Sequence, residues 1–111
     1  MIQTKTSEEI DTLKAGGNRL SQVMGKILEA VDVGTQTGTL EEIARKEIKR
    51  LNGEAAFLDY QPARANRPYP GALCVSLNDE IVHGMSVPSR ELTDGDVVTF
   101  DIGFEYKDLI T

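Results

Sequence analysis

Apolar residues recur at Ile10, Leu13, Leu20, Val23, Met24, Ile27, Leu28 and Val31, at separations of three and four residues or sums of these. That period is one face of an α-helix. A helix this long in a chain of 111 residues must bury its stripe against a second layer, so the rest of the chain has to supply one. Thr6 and Glu9 have capping-box spacing, which places the helix start near Thr6 or Ser7. Gly34 is the expected stop. Gly16, Gly17 and Gly25 weaken the helix by roughly 1 kcal/mol each relative to Ala. They are read as points of close packing against a neighbour: no strand precedes them and no Lys-Ser/Thr pair follows, as a phosphate loop would require.

After the polar linker Gly34 to Gly38, Thr39 and Glu42 repeat the capping-box spacing, and Leu40, Ile43, Ala44, Ile48 and Leu51 form a second helical stripe ending at Gly53. Glu41, Arg45, Lys46, Glu47, Lys49 and Arg50 are read as its solvated face. The pattern then changes to short extended runs. Ala56 to Tyr60 reads as a strand, and Gln61 to Gly71, with Pro62, Pro68 and Pro70, as a loop. Leu73 to Leu77, the turn Asn78-Asp79-Glu80 and Ile81-Val82-His83 read as a hairpin. Gly84 to Gly95 is irregular, Val97 to Phe104 is the strongest strand, and Tyr106 to Ile110 returns beside it. Two helices followed by hairpins predict one α+β domain over residues 1–111, with the two N-terminal helices packed on an antiparallel sheet.

Composition narrows the function classes. Lys plus Arg number 12 and Asp plus Glu 18, a net charge of −6, which argues against electrostatic nucleic-acid binding and against adsorption to anionic membranes. The one Cys cannot form an internal disulfide or a Cys-rich metal site. No apolar run approaches the roughly 20 residues of a spanning helix. The first nine residues contain no apolar signal region, so a soluble cytoplasmic protein is expected.

Strand periodicity puts Val98, Phe100, Ile102 and Phe104 on the face toward the helices, and Val97, Thr99 and Asp101 on the other. A mid-strand Asp101 is either exposed on a wet face or held by a partner or metal. His83, the only histidine, is either a surface group or a proton donor and acceptor. Cys74, between Leu73 and Val75, reads as a small buried hydrophobe before it reads as a nucleophile. Phe57, Tyr60 and Tyr69 line an apolar pocket or pack a loop.

Two blocks carry a resemblance. Tyr69-Pro70-Gly71-Ala72-Leu73-Cys74-Val75-Ser76-Leu77-Asn78-Asp79-Glu80-Ile81-Val82-His83-Gly84-Met85 is similar to the methionine aminopeptidase pattern of Tyr/Phe-Pro, a Cys-bearing strand, Ser-x-Asn-Asp/Glu and His-Gly. Leu92-Thr93-Asp94-Gly95-Asp96-Val97-Val98-Thr99-Phe100-Asp101-Ile102-Gly103 resembles the family's Leu-x-x-Gly-Asp-Ile/Val-Val-x-x-Asp strand. The helical half looks alike through Ile10 to Leu28 and Gly34-Thr35-Gln36-Thr37. The resemblance is to type I-like enzymes and implies the first half of a pita-bread fold. It implies a cytoplasmic metal-dependent hydrolase that removes the initiator Met from nascent proteins. By that resemblance Asp101 is the first metal-ligating aspartate, and His83 contacts substrate and assists the transition state. Tyr69, Cys74, Tyr60 and Phe57 fall near the pocket for the Met side chain. The family's cofactor is a divalent metal pair of Co, Mn, Fe or Zn, and its partners are peptides with an N-terminal Met.

Two departures qualify the expectation. Gln61 to Pro68 is longer than in the short bacterial enzymes. The second ligating Asp of the family pattern would follow Thr111, and the later His and Glu ligands are not in the sequence. The chain alone is therefore expected to be truncated before that Asp, to hold no tight metal and to be inactive as a peptidase. The alternative is a non-catalytic half-pita-bread binding or dimerisation module, with a homodimer formed through the surface left by the missing half.

Overall fold

The computed structural model describes residues 2–111. Helix α1 spans Ser7–Glu29 and α2 spans Thr37–Arg50. Five strands follow: β1 Glu54–Ala55, β2 Leu73–Leu77, β3 Val98–Ile102, β4 Phe104–Tyr106 and β5 Leu109–Ile110. The α+β class stands. The antiparallel layer, however, is two sheets, one of order β1-β4-β5 and one pairing β2 with β3. Helix α1 packs on α2, β4 and β5, while α2 packs on β1 and β2.

The start of α1 is set as the sequence requires. Thr6 is the N-cap, its hydroxyl accepting the Glu9 N–H (3.1 Å) while the Glu9 carboxylate accepts the Thr6 N–H (2.7 Å). The helix stops at Ala30, before Gly34, and the Thr35 hydroxyl donates to the freed Ala30 carbonyl (2.9 Å). Gly34, at φ +88°, instead donates to the Leu92 carbonyl (2.7 Å). The second capping box does not form: α2 begins two residues before Thr39, with Gln36 as an N-cap whose side chain turns to Glu91 and Ser89 and caps no helix N–H. Thr37 is buried there and donates its hydroxyl to the Ser86 carbonyl (2.7 Å).

The core joins Val23 and Ile27 of α1 and Leu40, Ala44 and Ile48 of α2 to Leu73, Val75, Ile102 and Phe104. Leu28 leaves the stripe because one residue turns a helix by about 100° from the face that buries Ile27. Ile10, 43% exposed, precedes the buried stretch, which starts at Gly16. The close packing expected of these glycines is not seen: a Cβ at Gly16 would make ordinary contact with Tyr106 and Thr111 at 3.5 Å, and Gly17 and Gly25 face open space. The Arg19 guanidinium lies 4.1 Å from the centre of the Tyr106 ring and ties α1 to β4.

Three strand expectations are corrected. The run Val97 to Phe104 is cut at Gly103, where the Gly103 carbonyl accepts the Ala56 N–H (3.2 Å) and a Cβ would crowd the Ala56 methyl at 2.8 Å. Ala56 to Tyr60 is a turn, with Asp59 at φ +61° and Tyr60 N–H donating to Phe57 (3.1 Å); the extended pair is Glu54–Ala55. Ile81-Val82-His83 is not a strand: the returning chain meets β2 only at Gly84 and Met85, through the Gly84 carbonyl that accepts Val75 N–H (2.9 Å) and the bridge of Met85 to Cys74, while β3 pairs along the other edge, in register from Leu73 opposite Ile102 to Leu77 opposite Val98. Ile81 and Val82 are left 86% and 65% exposed. The return of β4 to β5 does form, through Lys107 and Asp108, both at positive φ as a two-residue hairpin turn demands.

Phe104 is fully buried under Gly53, where a Cβ would overlap its ring. Phe104→Ala is expected to lower unfolding free energy by about 3–5 kcal/mol in urea titrations. Gly17→Ala, with no neighbour to meet, is expected to raise it by roughly 0.5–1 kcal/mol. A neutral Phe104→Ala would contradict the packing described.

Candidate substrate pocket

The β2–β3 register sets Cys74 opposite Asp101. Directly opposed residues of an antiparallel pair project from the same sheet face, which the helices do not cover here. Cys74 is buried and Asp101 exposed. Beside Cys74 lies a cavity of about 360 Å³, and Phe57, Tyr60, Tyr69, Cys74 and His83 all line it. The structure thus brings together the five residues expected near a substrate pocket, with Asp101 as the cross-strand neighbour of one of them.

Each wall has a local cause. Tyr69 is pinned by its backbone, donating N–H to the Tyr60 carbonyl (2.8 Å) and accepting Asp59 N–H (3.0 Å). Its phenol shares its proton between the carbonyls of Leu73 (3.0 Å) and Gly84 (3.2 Å), and its ring meets Phe57 edge to face, centroids 6.4 Å apart. Burial, reinforced by the Cys74 thiol and the charges of Glu41 and Asp101, pushes the phenol well above its ordinary pKa. Burial likewise raises the Cys74 thiol; Tyr69 opposes the shift, and Asp101 and Glu41 add to it. Cys74 accordingly presents a neutral thiol to the cavity.

His83 sits exposed at the rim with φ +59°. The next residue fixes it: Val75 N–H donates to the Gly84 carbonyl (2.9 Å), and Gly84 N–H donates to Ser76 Oγ (3.1 Å). Only glycine fits at 84, because a Cβ would overlap the Val75 carbonyl. Arg90 spans the same segment from outside, donating to the carbonyls of Val75 (3.0 Å) and Met85 (2.8 Å) and to both Glu80 oxygens (2.7 and 3.0 Å).

Sequence reasoning missed several lining residues. Met85 reaches the cavity because of a bridge to Cys74, which a hairpin reading hid. Pro62, Ala65, Arg67 and Pro68 close it from the Gln61 to Gly71 loop; their prolines signalled a loop but not its course. Glu41 was assigned to the solvated face, yet it is 3% exposed and its carboxylate accepts from Ala72 N–H (2.6 Å), Leu73 N–H (3.0 Å), Ser86 Oγ (2.7 Å) and Arg45 Nε (2.8 Å). Its spacing, three before Ala44 and seven before Ile48, carried the signal.

The donor set for a metal is incomplete. Among the described residues no three His, Cys, Asp or Glu side chains converge. Asp101 is a single exposed carboxylate opposite a neutral thiol, so these residues do not by themselves fit a divalent metal pair.

An apolar cavity rimmed by an imidazole, next to a strand carboxylate on a helix-backed antiparallel layer, defines a candidate small-ligand site. Residues 11–111 match the model of metallopeptidase family M24, and the chain belongs to that family. It is 37% identical over 105 residues to a methionine aminopeptidase of Aquifex aeolicus, covering 95% of this chain and 41% of that protein. It is 31% identical over 111 residues to that of Treponema pallidum, covering 100% and 40%. The crystal structure of the Thermotoga maritima methionine aminopeptidase superposes with a TM-score of 0.89 at 29% identity, covering 99% of this chain and 42% of that one. The chain therefore has part of the pita-bread fold and spans about 40% of the length of these relatives. Among the described residues no helix is long and apolar enough to cross a membrane.

Two carboxylates of the segments that flank β2 and β3 give a pH prediction. The Leu77 N–H and then Arg90 hold Glu80 below its ordinary value of 4.5, and Asn78 and then Thr93 hold Asp96 below 3.8. A depressed carboxylate stabilises the fold above its unfolded pKa, and that contribution disappears as pH falls through the folded pKa. Urea midpoints are expected to be flat from neutral pH and to decline below about pH 4.5. Glu80→Gln should show a shallower decline; an identical profile would count against the Glu80–Arg90 tie.

Proposed function

We propose that this chain is the N-terminal part of a methionine aminopeptidase that binds the N-terminal Met of nascent proteins in the cavity between Tyr69, Cys74 and Met85. The convergence on one apolar cavity, beside Asp101, of the five residues that the resemblance implies carries this reading. The cavity selects by shape and apolarity, since Phe57, Tyr60 and Tyr69 offer ring faces and edges and the Cys74 thiol stays neutral. Such surroundings suit a thioether, which is apolar and polarisable. In this reading His83, which lines the cavity, hydrogen-bonds the amide that follows the bound Met.

Family membership implies a divalent metal in the whole enzyme, with Co, Mn, Fe and Zn as the candidates and Asp101 as the one carboxylate these residues offer toward it. No step is assigned to that metal here, because the donor set is incomplete. The work of this segment is to bind and orient the Met side chain. A cytoplasmic site of action follows from a substrate that arises on nascent chains.

Two measurements test the proposal. Titrating the 111-residue polypeptide with Mn or Co by calorimetry, alongside Met-Ala-Ser turnover, is expected to show no stoichiometric tight site and no Met release. Release at stoichiometric metal would contradict the incomplete donor set. Met-Ala-Ser binding followed by amide shifts is expected to centre on the cavity, to vanish in Cys74→Trp, and to weaken by about 3- to 10-fold in His83→Ala. Binding unaffected by Cys74→Trp would overturn the pocket assignment and favour a binding or dimerisation module without this substrate.

A further inference from the structure

Glu41 lies outside the cavity, on α2, and takes no part in the proposed binding of Met. Its carboxylate nevertheless meets both sides of the pocket. Oε1 accepts from Ala72 N–H (2.6 Å) and Arg45 Nε (2.8 Å); Oε2 accepts from Leu73 N–H (3.0 Å) and Ser86 Oγ (2.7 Å). Ala72 and Leu73 immediately precede Cys74, and Ser86 immediately follows Met85. Arg45 extends the grip by donating to the Pro70 carbonyl (3.0 Å), next to Tyr69. Gly71 makes room for this arrangement, since a Cβ there would stand 3.1 Å from both Glu41 Oε2 and Ser86 Oγ. A buried carboxylate with four donors is satisfied, and removing it would leave two buried N–H groups and a hydroxyl without partners.

We propose that Glu41 is a positioning residue for the pocket: its Oε2, bonded to Leu73 N–H and Ser86 Oγ, holds the segment bearing Tyr69 and Cys74 against the one bearing Met85 and His83, and reinforces the Cys74–Met85 bridge and the bond from the Tyr69 hydroxyl to the Gly84 carbonyl. Met selectivity then depends on a side chain that never touches the ligand. The link to Met rests on the function proposed above; the effect on the walls does not. Glu41→Gln keeps the shape but presents an NH₂ to one set of donors, so the walls should part locally.

Cys74, the only cysteine, reports on this without other labels. Its reaction rate with dithionitrobenzoate is compared in wild type, Glu41→Gln, Ser86→Ala, and an α2 core variant, Ile48→Val or Ile48→Ala, chosen to match the stability loss of Glu41→Gln in urea. The thiol is expected to react about 10-fold or more faster in Glu41→Gln than in the matched control, and about 3-fold faster in Ser86→Ala than in wild type. Equal rates in Glu41→Gln and the control would show that Glu41 contributes stability alone and would overturn the proposal. Should Glu41→Gln not fold, Ser86→Ala decides, and an unchanged rate there overturns it. Protection of the wild-type thiol by Met-Ala-Ser is read separately: its absence counts against the methionine pocket and not against the role of Glu41.

Discussion

A carboxylate buried between a helix and the start of a strand organises this molecule. Taking an ionised group out of water is costly unless its lone pairs are filled, and Glu41 fills them with two backbone N–H groups, a hydroxyl and a guanidinium. The arrangement holds only if α2, the beginning of β2 and the segment after Met85 stand in one fixed relation. Thr37 and Arg90 repeat the pattern on the far side: the Thr37 hydroxyl bonds the Ser86 carbonyl, and the Arg90 N–H donates to Thr37 Oγ1 (2.9 Å). The irregular stretch between β2 and β3 is thus held by polar contacts where it lacks strand pairing.

That division of labour explains what the sequence discloses. The helix stripes, the first capping box and the alternation along β3 are local signals, and all three appear in the structure. Ile81-Val82-His83 misled because β-branched residues after a turn look like a returning strand, while the contact with β2 falls further on, at Gly84 and Met85. Gly103 misled for a similar reason: a glycine within an alternating run gives no local hint that another segment crosses there. Long-range partners decided these positions, and pattern reading does not contain them.

The candidate site divides along the same line. Its residue types and spacings were readable, because a Tyr-Pro, a strand Cys and a His-Gly within seventeen residues form a dense motif. Their convergence on one cavity was not readable, since it depends on the proline-rich loop folding back so that Tyr69 meets Tyr60. Glu41 was misplaced because helical charge was read as solvation, although its position on the stripe of Ala44 and Ile48 pointed inward. The chemistry follows: the acidic groups of the cavity wall are a phenol and a thiol that burial keeps neutral, so the wall between them is apolar.

The most direct test is contact between ligand and wall. The chain is mixed with a Met-initiated tripeptide labelled at the thioether methyl, and intermolecular Overhauser effects are collected. The account expects that methyl to lie against the Tyr69 ring and the Met85 side chain. Contacts confined to the exposed Ile81–Val82 segment, or none at all at saturating peptide, would contradict it.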